Sequence, residues 1–162
     1  MKGMFSALEI AAYISHYYKD KTGKDISPLR LQKTLYFAFA YWGGFMGKSK
    51  MQNNGVNEID LSGYSEYLFG DKIEAWVYGP VVPKVYFERN LDSYFSPSLF
   101  NGKELVKECI DDVIDDTIDV SDFRLVDISH SDQAWKSKFN YDEANHNNEI
   151  LKDEIIKEYA TK

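Results

Sequence analysis

The sequence predicts a mainly α fold, in one compact domain of five to six helices with a short β element near residues 73–78. Three observations carry this expectation. Apolar residues recur at helical spacing in four separate stretches. Capping and stop signals bracket the early ones. There is no alternation of strand and helix patterns of the kind that builds a parallel sheet. The 162 residues suit one domain, and hydrophobic and charged fractions of 44% and 28% are those of a globular protein rather than a disordered tail.

The first helix opens on a capping box, Ser6-Ala7-Leu8-Glu9, and Gly23 stops it. Leu8, Ala11, Ala12, Ser15 and Tyr18 form its expected inner stripe. The second helix opens on Ser27-Pro28, a cap followed by proline at the first helical position. Its stretch from Leu35 to Trp42 (LYFAFAYW) is apolar all round, which marks a central buried helix, and Gly43-Gly44 is expected to end it. Met46 to Leu68 lacks periodicity and reads as an irregular insertion, giving a loop at about 46–69.

Ile73 to Tyr78 alternates with the period of a short strand, which Gly79-Pro80 is expected to break. Pro83 then starts a short helix to about Asn90. A long helix is expected from Lys103 to Ile118, with Leu105, Val106, Cys109, Ile110, Val113 and Ile114 inward. Ser121 caps a short helix to Ile128, His130 to Trp135 reads as loop, and Lys152 to Tyr159 forms the last helix.

The single cysteine, Cys109, excludes an internal disulfide framework and reads as a small core side chain rather than a reactive thiol. Residues 1–20 lack a secretory h-region, and the longest apolar stretch is too short to span a bilayer, so a cytoplasmic protein without membrane insertion is expected. Net charge is −7 and uneven: residues 1–81 hold 9 basic and 8 acidic side chains, residues 82–162 hold 10 and 18. The acidic half disfavours nucleic acid and favours a basic partner.

Three segments stand out for function. The first is IEAWVYGPVVPKVY, Ile73 to Tyr86. Pro80 and Pro83 fix their own φ, and Gly79 reaches backbone angles closed to other residues. Such a corner would aim Trp76, Tyr78 and Tyr86 at a partner at low entropic cost, or simply pack them into the domain. The second is His130, flanked by Asp127, Asp132 and Trp135. A general-base role would need a nucleophile or substrate pocket, and a structural, hydrogen-bonded histidine is the plainer reading. His16 and His146 have no metal-ligand spacing with one another or with Cys109. The third is Asp111-Asp112-Val113-Ile114-Asp115-Asp116, which contains the D-D-x-x-D string of magnesium–diphosphate chemistry without the second acidic motif that chemistry needs. At helical spacing Asp111, Asp115 and Asp119 share a face, as solvated surface or as a docking face for a basic partner.

Taken together, Leu31-Gln32-Lys33-Thr34-Leu35-Tyr36-Phe37, the EAWVYGPVVPKVY block and the late His130-to-Trp135 element resemble the Panacea domain of SocA-like and GepA-like proteins. The likeness covers Ser6 to Trp135 and extends to the last helix. Two features depart from the family pattern: the longer 46–69 segment, and Ala134 where a proline often precedes the tryptophan. The resemblance implies an antitoxin that neutralises a cognate toxin, encoded by an adjacent gene, through direct binding. It also implies, for some members, an adaptor that hands the toxin to a protease. Trp76, Tyr78, Gly79, Pro80, Pro83, Tyr86, Asp111, Asp115 and Asp119 are the expected partner-binding residues. His130 and Trp135 are motif residues without an assigned role. No catalytic residue, metal or cofactor is expected. The rival readings are a small enzyme using His130 with nearby carboxylates, and a transcriptional regulator, which the lack of a basic recognition helix disfavours.

Overall fold

The computed structural model describes residues 3–51, 60–141 and 147–162. His146 lies outside the described residues, as does the stretch 52–59 of the expected insertion. Among the described residues the chain forms seven α-helices and one three-stranded antiparallel sheet.

Helix α1 (Ala7–Thr22) is closed at both ends by local signals. Ser6 accepts from the Glu9 amide at 3.1 Å, Glu9 accepts from the Ser6 amide at 3.0 Å, and Gly23 takes φ 74° at the C-terminal cap. Its buried stripe includes Ile10 and Ile14 beside Leu8, Ala11 and Ala12, while Ser15 and Tyr18 lie at its margin.

Helix α2 (Pro28–Met51) is the central post, touching α1, α4, α5 and α7. It runs through Gly43-Gly44 instead of stopping there, so Met46 to Met51 are helical rather than part of an irregular insertion. The reason is tertiary. A β-carbon on Gly43 would stand 2.5 Å from Ile156 Cγ1, and one on Gly44 would stand 2.7 Å from Tyr159 Cβ and 3.0 Å from its backbone carbon. The two glycines let α7 (Lys152–Ala160) lie directly against α2, and Gly47 extends the groove to Ala160. Leu68 and Phe69, at the end of the expected loop, are core residues, and Trp42 Nε1 ties Ser65 to α2 at 2.8 Å.

The strand expected at Ile73–Tyr78 is β1 (Ile73–Trp76), with Ile73 and Ala75 turned inward. Gly79-Pro80 does not end the sheet; with Val81 it forms β2 (Gly79–Val81), and the pair is a hairpin with Trp76 opposite Gly79. Val77 and Tyr78 make the turn at negative φ, and the positive φ falls on Gly79 at 106°. Pro80 is tolerated because β2 is an edge strand in the order β2-β1-β3. The third strand, β3 (Asn148–Ile150), pairs with the other edge of β1.

Helix α3 (Pro83–Tyr86) is shorter than expected. Helix α4 (Glu104–Thr117) buries Val106, Ile110, Val113 and Ile114, with Leu105 and Cys109 half-buried. Helix α5 (Asp122–His130), capped by Ser121, contains His130, and α6 (Gln133–Lys136) contains Trp135, so the segment expected as loop is largely helical. Helix α6 forms because Glu158 of α7 accepts from the amides of Gln133 and Ala134, both at 2.9 Å, at its N-terminus. No helix among the described residues is long and apolar enough to cross a membrane.

Candidate interaction surface

The hairpin corner is gripped from two sides. On the α2 side, Gln32 works as a surrogate strand. Its Oε1 accepts from the Val82 amide at 2.8 Å and its Nε2 donates to the Val82 carbonyl at 3.3 Å. Lys33 is fully buried, and its Nζ donates to the Pro80 carbonyl at 2.7 Å. Burial lowers its pKa from 10.5 to about 7, because the ammonium has lost its water. Gly79 is required here as well as in the turn: a β-carbon there would stand 2.4 Å from Ser129 Oγ and 3.1 Å from Lys33 Cε.

On the other side stand the two late motif residues. His130 Nε2 donates to the Val77 carbonyl at 2.9 Å, since a carbonyl can only accept. Trp135 Nε1 donates to the Trp76 carbonyl at 2.9 Å, and the His130 and Trp135 rings stack with centroids 4.2 Å apart. Residues far apart in sequence thus hold four backbone positions of one seven-residue stretch, Trp76, Val77, Pro80 and Val82.

The carboxylates flanking His130 in sequence do not form an acid–base pair with it. Asp132, almost fully buried, accepts from Tyr36 Oη at 2.5 Å, Tyr159 Oη at 2.6 Å and Lys162 Nζ at 3.1 Å. Both tyrosine hydroxyls are held well above their usual pKa, chiefly by burial. This network ties α2, the α5–α6 junction and α7 together, so Asp132 is a structural acceptor. Cys109 is also suppressed as a nucleophile, its thiol pushed up to about 12 by burial.

What the grip presents to solvent is aromatic. Tyr78 is 58% exposed at the turn tip, Tyr86 53% and Phe87 70%. Trp76 is half-buried; its Nε1 donates to Glu74 Oε1 at 2.9 Å, and its ring meets Tyr86 edge-on at 4.9 Å. Tyr86 in turn meets Phe87 edge-on at 5.0 Å. Pro80 is buried inside the corner, and Pro83 opens α3. The patch borders a groove of about 650 Å³ whose lining includes Ile26, Leu31, Val85 and Leu91. Phe87 was not among the sequence candidates, although its place beside Tyr86 was a usable signal.

The acidic residues are not gathered into this corner. Asp111 accepts from Tyr13 Oη and from Lys107 Nζ, the latter at 2.8 Å; Asp115 accepts from Tyr17 Oη at 2.9 Å. These bonds form a polar seam between α4 and α1 instead of one bare acidic face. Burial and the Asp115 bond push Tyr17 up to about 12. Asp119 does not continue the helical face, because α4 has ended at Thr117; it is exposed in the turn that follows. Among the described residues no three His, Cys, Asp or Glu side chains stand together as a metal-ligating group.

No curated protein and no solved structure matches the chain significantly. A family model does: that of the antitoxin SocA-like Panacea domain matches residues 56–136, half of the chain. The matched stretch contains the hairpin, the aromatic patch and both late clamp residues, and the chain belongs to the SocA-like antitoxin, Panacea-domain family.

Proposed function

We propose that this chain is the antitoxin of a toxin–antitoxin pair and neutralises a protein toxin by direct binding, with Trp76, Tyr78, Tyr86 and Phe87 as anchors. The observation that carries the reading is the exposed aromatic patch on a backbone clamped by Gln32, Lys33, His130 and Trp135. Exposed aromatics on a mobile loop would lose rotamer and backbone freedom on binding; here the backbone part is already fixed. Gly79, Pro80 and Pro83 act by shaping that backbone rather than by touching the partner. Asp111, Asp115 and Asp119 contribute as part of the negative field of the second half of the chain, which steers a basic toxin toward the complex.

In this reading the protein works in the cytoplasm, its partner is encoded by an adjacent gene, and no substrate is transformed. The family suggests a non-enzymatic role. The engagement of His130 with Val77 and Trp135 supports the same view. A toxin held on the corner could also be passed to a protease, in the manner of an adaptor. Co-expression with the product of the neighbouring gene tests the proposal. Growth should be rescued and the two proteins should co-purify; a harmless neighbour, or no complex at micromolar concentration, would contradict it.

A further inference from the structure

A second surface is formed by other residues, from the later part of α2 and from α4. Tyr41, Trp42 and Phe45 of α2 form one wall of a groove of about 450 Å³, and Leu105, Cys109 and Val113 of α4 form the other. Tyr41 is 53% exposed and Phe45 36%, on a helix that is otherwise mostly buried. Among the described residues, the charged side chains lining the groove are Glu108, Asp112 and Asp116, all acidic, and no basic residue lines it.

These three acids differ from their neighbours on the same helix. Asp111 and Asp115 are engaged by Tyr13, Lys107 and Tyr17 across the seam with α1. Glu108, Asp112 and Asp116 have neither hydrogen bond nor ion pair among the described residues. They stand at i, i+4 and i+8, which sets them in one line along the groove, roughly 6 Å apart. Three like charges in a row repel one another, and an apolar trough beside them holds exposed rings in water. One kind of ligand relieves both: a helix with an apolar stripe for the trough and Lys or Arg at four-residue spacing along one flank.

We propose that the α2–α4 groove receives a basic amphipathic helix from a protein partner. The inference does not depend on what the hairpin corner binds. The probe is a fluorescein-labelled peptide of about 18 residues, five helical turns, with leucines at i, i+3, i+4 and i+7 and lysines on the flank. Its anisotropy is read against the full chain at physiological salt. A scrambled peptide of the same composition controls for attraction to the net negative charge. The patterned peptide should bind at least about tenfold tighter than the scrambled one. Asp112→Lys/Asp116→Lys should remove that difference, and the milder Asp112→Asn/Asp116→Asn should reduce it. Tyr86→Ala/Phe87→Ala should leave it unchanged. Backbone amide shifts on binding should cluster at residues 41–45 and 105–116. Equal binding of both peptides, unchanged binding by the folded aspartate variants, or sedimentation showing the groove closed by a second copy would overturn the proposal.

Discussion

The hairpin corner and the α2–α7 seam solve the same problem, bringing distant backbone segments together, by opposite means. The seam removes side chains: Gly43, Gly44 and Gly47 let α7 rest on α2, and Ile156, Tyr159 and Ala160 fill the space. The corner adds them: four polar side chains reach across to backbone groups of the hairpin. Packing of the first kind tolerates no added volume. Hydrogen bonding of the second kind loses about 1 kcal/mol per bond removed, and more where a buried partner is left unpaired. The corner can therefore shed one contact and still hold its shape, while the seam has no spare room.

The largest effect is expected in the seam. Gly44→Val should cost about 3 kcal/mol in denaturant unfolding, because α7 backbone and not only a side-chain tip must move. A loss below about 1 kcal/mol would mean that α7 is free to slide. In the corner, Lys33 makes stability depend on pH. Its folded pKa, about 7, lies below the unfolded value, so between these values the unfolded chain binds more protons and stability rises with pH. Between about pH 7 and 9 the slope from this group approaches about 1.4 kcal/mol per pH unit. Lys33→Met should flatten that slope; an unchanged slope would show that another group carries it.

Smaller still is His130→Ala, expected to cost about 1 kcal/mol through one hydrogen bond and one ring contact, with toxin neutralisation retained. A folded, thermally normal variant without activity would revive an acid–base role for the imidazole. The smallest stability change is expected for Asp111→Asn/Asp115→Asn/Asp119→Asn, within about 0.5 kcal/mol, since the tyrosine hydroxyls keep an oxygen to donate to. Its binding effect should appear in the association rate and shrink as salt rises. Stopped-flow binding at two salt concentrations separates this from any change in dissociation.

Legibility in the sequence followed how local each cause is. The ends of α1 were readable because the capping box and Gly23 act within a few residues. Gly43-Gly44 was misread because a glycine pair says only that side chains are missing; that α7 occupies the space is a fact of tertiary structure. Pro80 looked like a strand breaker, yet an edge strand needs no donor there. Strand β3 has three residues and exists through pairing with β1, so its own pattern carries little signal. In the site, Trp76, Tyr78 and Tyr86 were visible as aromatics beside rigid residues, and two of the three are well exposed. The clamps were visible only as motif letters. Lys33 offered a hint, since it sits just before a helical stretch with no polar face, but its acceptor is 47 residues away. Helical phase placed Asp119 with Asp111 and Asp115, and failed because the helix ends two residues earlier.

If the clamped corner binds a toxin through its exposed rings, truncating those rings must speed dissociation. Tyr78→Ala, Tyr86→Ala and Phe87→Ala, singly, are compared with the unaltered chain for dissociation rate from the neighbouring gene's product, alongside denaturant unfolding of each free variant. Stability should stay within about 1 kcal/mol of the parent, since these rings are more than half exposed. At least one variant should lose about 2 kcal/mol of binding, a roughly thirtyfold faster dissociation. Normal dissociation in all three variants, or poor folding with normal binding, would contradict it and return these rings to a structural role.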